Sequence, residues 1–472
     1  MTDSSEHIIR VHSTLADIPA AQWDRVANPG WKLAEGGRLE SSPEDITSAT
    51  SNGAPKPLKR GADRPRSESP REPDESIREV PDPASKPPES ETEDLESTSQ
   101  DAESDPQETS FNPFVSHAFL HTLEESGCAV ANTGWLGQHL VLEDGAGTPL
   151  AAAPCYVKTH SQGEYVFDYG WADAFERAGG RYYPKLQVSV PFTPATGRRL
   201  LVGPDIDRDT GRAVLASGLH QLCDQLGTSS VHLTFLPKAE AAFLERGDFL
   251  IRTDRQFHWP NHGYGTFEDF LSSLASRKRK ALRRERREAL ADGITVEWLT
   301  GDDITEDHWD AFYAFYIDTG SRKWGRPYLN RTFFSLLGER LGERVLLIMA
   351  KRNGRYIAGA LNMIGSHTLF GRYWGCVEDH PFLHFELCYH QAIDYAIAHK
   401  LLRVEAGAQG SHKLARGYLP ETTWSAHWIA HPGLRHAVED YLEEERLAVA
   451  EEQEILSHHA PYKRDESSGQ EP

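Results

Sequence analysis

Along this 472-residue chain the apolar positions fall into two periods, and the order in which they follow one another repeats. Short apolar or alternating runs bounded by turn residues predict strands at 8–12, 140–142, 150–157, 165–171 and 230–236. Helical spacing predicts helices at 19–27, with Trp23 and Val26 on one face and Asp17 as a cap, and at 211–226. A third helix is predicted at 113–126, with Phe114, Phe119, Leu120 and Leu123 turned inward. Further on, strand, turn at Asn353-Gly354 and strand fill 345–361, and a third strand follows at 368–375. A helix at 386–399 then leads into a strand at 402–406. The third-strand segments also correspond, Phe167-Asp168-Tyr169-Gly170-Trp171 against Gly371-Arg372-Tyr373-Trp374-Gly375. Recurrence at about 200 residues marks an internal duplication. It predicts an α/β (α+β) fold of two tandem domains, residues 6–27 with 111–258 and residues 259–460. Each would be a mixed, mostly antiparallel sheet with helices on both faces.

The pattern fails over 31–109, which is rich in Ser, Pro, Glu and Asp and almost without aromatic residues. That segment holds 20 acidic and 10 basic residues, about half of the chain's net charge of −21. It buries too little apolar surface to offset chain entropy, so it reads as a disordered insertion. The tail 461–472 reads the same way. Arg64-Pro65-Arg66-Ser67-Glu68-Ser69-Pro70 has the composition of a phosphorylation site, or the whole insertion is inert.

Acidity argues against a general nucleic-acid or membrane-surface binder, though less strongly once the insertion is set apart. Five scattered cysteines with no CxxC spacing fit a reducing compartment and no zinc site. Residues 1–14 lack a signal-peptide core, and no apolar run reaches membrane-spanning length, so a cytoplasmic protein without membrane insertion is expected.

The chemistry-bearing residues gather in the second half. Residues 276–288 carry eight cations and two acids over a stripe that includes Ala281 and Leu282. They read either as an anion-binding face, with Arg279 and Arg283 toward phosphate, or as a solvated face with internal ion pairs. An aromatic helix at 309–316 reads as core. Arg322, Lys323 and Trp324 follow it as a candidate substrate clamp. His380, His384 and Glu386 lie close together after Tyr373. Histidine and glutamate are natural general bases, whereas Pro381 between the histidines speaks against a metal site. Glu386 at a helix start is equally a dipole-favoured carboxylate. Most telling is 403–418, where Glu405 ends a strand and Gln409, Gly410, His412, Lys413 and Arg416 follow among glycines. Ligand sites in such sheets gather beyond strand C-termini. No GxSxG, P-loop or GxGxxG is present, so hydrolase, kinase and dehydrogenase readings lack residues to carry them.

Several stretches resemble the peptidoglycan biosynthesis or recognition family of predicted N-acyltransferases in the GNAT superfamily. They are Gly134-Trp135, the run 158–168, 182–187, Pro191-Phe192-Thr193-Pro194, Gln256-Phe257-His258-Trp259, 321–325, 371–375 and 404–410. The resemblance covers about 111–463 and the N-terminal strand and helix, and it implies two GNAT-like domains. A more distant similarity is to Fem-type peptidyltransferases, whose second domain carries a Phe-Lys-x-x-Phe-Gly element. Here His412-Lys413-Leu414-Ala415-Arg416-Gly417 stands in its place, keeping the lysine and glycine and replacing both aromatics. The resemblance implies Lys413 near the reaction centre. No glycine-rich pyrophosphate loop follows Trp374, so acyl-CoA is implied only through the superfamily, and aminoacyl-tRNA stands beside it as a donor.

The expected activity is transfer of an acyl or aminoacyl group to a small-molecule amine or peptide, with no tightly bound cofactor and no metal. Glu386 or Glu405 would deprotonate the amine, His384 and Tyr373 would assist, and Lys413 with Arg416 would hold an oxyanion or phosphate. Arg322, Lys323 and the basic helix would hold the donor or acceptor. Lys158, His160 and Asp168 would supply the first domain's wall of a cleft. The alternative is a non-catalytic module that kept the duplicated fold to recognise a cell-wall fragment or nucleotide.

Overall fold

The computed structural model describes residues 7–41, 110–323, 327–407 and 410–463. All of them fall in one compact unit, 1–48 with 105–472. The strands are β1 Ile8–His12, β2 Trp31–Leu33, β3 Leu39–Ser41, β4 Trp135–Gly137, β5 His139–Glu143, β6 Pro149–Ala153, β7 Cys155–Lys158, β8 Lys185–Val188, β9 Leu201–Val202 and β10 Ser230–Leu236. The second half adds β11 Leu250–Pro260, β12 Thr295–Leu299, β13 Val345–Arg352, β14 Arg355–Ile364, β15 Thr368–Cys376, β16 Arg403–Glu405 and β17 Leu419–Ile429.

Eleven strands form one sheet in the order β12-β13-β14-β15-β16-β11-β17-β10-β8-β7-β4. Only the β15/β16 and β8/β10 pairs are parallel. The mixed, mostly antiparallel α/β sheet expected from the pattern is therefore present. A separate four-stranded sheet, β1-β5-β6-β9, takes the first-half hairpin, whereas its later counterpart β13/β14 lies in the large sheet. The boundary expected at 258/259 falls inside β11, which pairs with both β16 and β17. After β17 the helix Pro432–His458 returns to the first half, where Leu434, Val438 and Leu442 pack against Trp171 and Tyr182.

Period-two alternation explains why β13 is apolar throughout. Val345, Leu347 and Met349 face a core shared with the helices Glu306–Lys323 and Arg331–Leu341. Leu346, Ile348 and Ala350 face a second core under the helical segment Leu383–Ala398. The aromatic helix is core, as its spacing suggests: Trp309, Phe312 and Phe315 are almost fully buried.

Three segments differ from the expected elements. Residues 165–168 are irregular and 169–177 are helical, because Asp168 is tied to Lys185 and Tyr182 and Trp171 packs inward, which takes this segment out of any ladder. Residues 31–41, expected to belong to the disordered insertion, are ordered, since β2 and β3 form a hairpin there. Leu33 packs on the main core and Trp31 meets Phe111 edge-on at 6.5 Å. The tail is pinned as far as Lys463, whose N–H donates to Ser273 O at 2.9 Å, and Tyr462 Oη donates to Gly417 O at 2.7 Å. Residues 42–109 and 464–472 lie outside the described residues.

Where the helix Glu306–Lys323 crosses β15, glycine permits the contact. A Cβ on Gly375 would lie 2.2 Å from Phe315 O, a backbone atom that cannot swing aside. Gly375→Ala is expected to destabilise the fold by about 3 kcal/mol, the upper end for overpacking. Urea unfolding of the variant against the parent checks this.

Candidate functional site

The site begins where two strands part. Parallel β15 and β16 pair only from Thr368–Phe370 against Arg403–Glu405 and then diverge. A bulge opposite Leu361–Asn362 makes Arg372 the extra residue of β15. Bulges re-aim side chains, and here both Arg372 and Tyr373 reach the carbonyl of Phe192 in the first half, Tyr373 Oη at 3.2 Å. The wedge left between the strands is a cavity of about 240 Å³. Tyr373, Trp374, His384, Cys388, Tyr389, His412 and Lys413 are among the residues lining it.

The helix above the cavity is irregular in a way its sequence does not announce. Glu386–His390 is a π turn between the α-helical stretches Leu383–Phe385 and Gln391–Ala398. Such insertions concentrate at functional sites because they turn extra side chains to one face. Cys388 and Tyr389 both reach the cavity from this turn. Tyr389 Oη lies 3.0 Å from His412 Nε2, and the rings of His384, Phe385, Tyr389 and His412 pack against one another.

Lys413 enters from below on the turn Ser411–Arg416, which lies between Gly410 at φ 108° and Gly417 at φ 89°. Side chains rarely adopt that backbone, so glycines set the turn's position. Lys413 is 5% exposed, and its Nζ donates to Ala406 O at 2.6 Å and Gly407 O at 3.0 Å. No carboxylate among the described residues forms an ion pair with it. Burial pulls its pKa down to about 8. Burial and the neighbouring cations Arg416 and Lys413 lower His412, so that imidazole is neutral at pH 7.

Other expected site residues lie elsewhere. Glu386 is fully buried and bound by Arg286 Nε at 3.1 Å and Nη2 at 2.9 Å, with Gln391 donating to it at 2.6 Å. Arg416 is committed to Glu285, at 2.8 Å and 2.6 Å, and stacks on Phe385. His390 lies 2.8 Å from the same carboxylate. Burial raises the pKa of Glu285, but His390 and Arg416 outweigh it and hold the carboxyl low. Of the basic helix Ser276–Ala289, Arg283 pairs with Glu268 and Arg279 is half-buried, while Arg277, Lys278, Lys280 and Arg287 are exposed. Glu405 lines a second cavity of about 20 Å³ beside Arg403 and Asn112, and burial raises it to about 7. Gln409 and the side chains of Arg322, Lys323 and Trp324 lie outside the described residues.

In the first half Lys158 and Asp168 belong to a buried polar network. Lys185 Nζ donates to Ser161 Oγ, Glu164 Oε2 and Asp168 Oδ2 at 2.9, 2.6 and 2.5 Å. Burial alone would raise Asp168, but the Lys185 ammonium holds it well below the carboxylate range. Lys158 Nζ donates to Gln162 O at 3.1 Å and lies over the Trp135 ring, and burial lowers it to about 7. His160 is outside this network, 3.1 Å from Thr133 O. The network continues through Tyr182 to His232, whose Nδ1 is 2.7 Å from His427 Nδ1.

The structure thus brings Tyr373, His384, His412 and Lys413 together around one cavity, whose lining does not include Glu386, Glu405 or the first-half cluster. Cys388, Tyr389, Trp374 and Arg372 went unnoticed as site residues. The four-residue step from His384 to Cys388 was the available signal for the first of them.

A family model described as FemAB-like, peptidoglycan biosynthesis/recognition, matches residues 94–464. The chain belongs to that family. The FemAB-like chain is also similar in structure to FemX, at 13% identity over 68% of this chain and 93% of that one, with a TM-score of 0.45. A second similar structure is L-PGS from Bacillus licheniformis, at 10% identity over 68% and 95%, TM-score 0.43. A third is a tandem GNAT protein from the clavulanic acid biosynthesis pathway, at 15% over 63% and 84%, TM-score 0.35. No curated protein sequence matches the chain. Among the described residues no helix is long and apolar enough to cross a membrane, and no cluster of three metal-ligating side chains occurs.

Two outcomes follow for the FemAB-like fold. Glu285→Ala strips the counter-ion from buried Arg416 and is expected to cost about 3–5 kcal/mol in urea unfolding. Burial lowers His232 to about 3 and also lowers His427 well below its ordinary value, while both titrate at about 6.5 when unfolded. The unfolded chain therefore binds the extra protons, so stability is full above about pH 6.5 and is lost as pH falls toward 3. Each histidine contributes up to about 1.4 kcal/mol per pH unit. In His427→Gln the slope of stability against pH between 6 and 4 should flatten by about one proton, read from urea midpoints.

Proposed function

We propose that the protein is an acyltransferase that moves an acyl or aminoacyl group from an activated donor to an amine in the cavity between β15 and β16. Lys413 is the observation that supports this reading most directly. It is a buried ammonium on a cavity wall that forms no ion pair among the described residues, and two of its three N–H groups are bound to carbonyls. A desolvated cation placed this way is suited to the negative charge that develops on a carbonyl oxygen during acyl transfer. The neutral imidazole of His412, or the side chain of His384, is placed to take the proton that the attacking amine must lose. In this scheme Tyr389 orients His412 through the hydrogen bond between them.

Glu386 and Arg416 serve as positioning groups in this proposal, because both are committed to buried ion pairs. Family membership supports an amine of a peptidoglycan precursor peptide as the acceptor. The exposed cations of the helix Ser276–Ala289 support a polyanionic donor, acyl-CoA or aminoacyl-tRNA.

Transfer by the purified protein from acyl-CoAs and charged tRNAs to peptide amines tests the reading. Lys413→Met should lower kcat by about 10²–10³, the loss typical of an oxyanion donor. It should also raise stability at neutral pH, because it removes an ammonium that burial disfavours. In the parent, kcat should fall as pH rises through about 8 and Lys413 loses its proton. Full turnover in Lys413→Met would overturn the assignment. Ligand binding at the cavity without transfer from any donor would move the protein to the class of binding modules.

A further inference from the structure

Transfer through Lys413 and an imidazole leaves one nucleophile on the cavity wall without a part. Cys388 lines the same cavity from the π turn, and His384 lies four residues before it on the same wall. Both side chains therefore border one space, where the α-helical stretch Leu383–Phe385 passes into the π turn. Lys413 lines the same cavity from the turn Ser411–Arg416. Among the cysteines, Cys128, Cys155 and Cys223 are buried and Cys376 is half-buried on β15, outside this lining. Cys388 is half-buried, so a donor entering the cavity can reach it.

Resting on the acyl-transfer reading, we propose that Cys388 is the nucleophile and carries the acyl group as a thioester between donor and acceptor. His384 takes the thiol proton, and the Cys388 sulfur attacks the carbonyl carbon of an ester or thioester donor. The oxyanion accepts a hydrogen bond from Lys413. The carbon–oxygen or carbon–sulfur bond to the donor breaks, and His384 returns its proton to the departing alcohol or thiol. The acceptor amine then attacks the Cys388 thioester and gives a proton to His384. An amide is released and the thiolate takes that proton back. The sum is acyl donor plus amine giving amide plus donor alcohol or thiol, with no redox partner.

The charges of the site support this assignment. Burial lowers the pKa of Lys413, and a thiolate at Cys388 opposes that shift. Coupling between titrating groups is reciprocal, so the Lys413 ammonium favours the Cys388 thiolate in turn. Reactive cysteines occupy such electropositive, partly exposed surroundings.

Iodoacetamide alkylation of the full-length protein, followed by peptide mass spectrometry from pH 5 to 9, tests the nucleophile without needing the natural donor. Cys388 should react at least about tenfold faster than Cys376, with a midpoint at least about one unit below the free-thiol value of about 8.5. Lys413→Met should slow it at pH 7 by about tenfold, and Lys413→Arg should restore much of the rate. An ordinary midpoint that ignores Lys413 overturns the proposal. In a second arm, p-nitrophenyl acetate should give a stoichiometric p-nitrophenolate burst and a hydroxylamine-labile acetyl on the Cys388 peptide. Both should be absent from Cys388→Ala. Undiminished amine acylation by Cys388→Ala would overturn the covalent step and leave acyl transfer standing. A Cys388 thioester in a protein that acylates no amine would do the reverse.

Discussion

One buried carboxylate organises the second half of the chain. Glu285 accepts from Arg416 Nε and Nη2 and lies against His390, so it joins the basic helix, the π turn and the turn that carries Lys413. Those three elements come from widely separated parts of the chain. Removing charge from water is unfavourable unless each group finds its partners, and here the geometry supplies them. With Arg416 fixed, its guanidinium lies flat on Phe385 and donates to His412 O at 2.6 Å, so the residue before Lys413 is held as well. Arg286 does the same for Glu386 and Asp394 at the other end of the π turn. The basic helix is thus divided by face, its inward arginines building the site and its outward cations meeting solvent.

The cavity depends on what the sheet omits. Three residues of parallel pairing hold β15 to β16, and the strands then separate because β16 ends at Glu405 and the chain turns off at Gly407, φ 76°. On the other edge of β15 the ladder to β14 continues, but the Arg372 bulge turns Arg372 and Tyr373 toward the first half. The two halves therefore meet directly beside the site, and the carbonyl of Phe192 is their shared acceptor.

Both halves bury lysines, with opposite results. Lys185 has two carboxylates and a hydroxyl around it, which raise its pKa above the ordinary lysine value despite burial. Among the described residues Lys413 donates to carbonyl oxygens and no carboxylate, and burial wins. The first arrangement satisfies charge inside a packed interior and stiffens it. The second places a cation with no ion-pair partner among the described residues beside open space.

Strand and helix positions, the mixed antiparallel sheet, the core role of Trp309–Phe312–Phe315 and the glycine-bounded turn at 410–417 were legible in the sequence, because period and glycine placement are local properties. Lys413, His412, His384 and Tyr373 could be named from residue type and position along their elements. The commitments of Glu386 and Arg416 could not be. Their partners Arg286 and Glu285 are about a hundred residues or more away in sequence, and no local pattern distinguishes a paired charge from one that meets a ligand. The π turn that presents Cys388, the bulge at Arg372 and the loss of a strand at 165–168 were likewise decided by tertiary packing. A one-residue change in register or helical turn is nearly neutral locally, and only the contacts made across the fold select it.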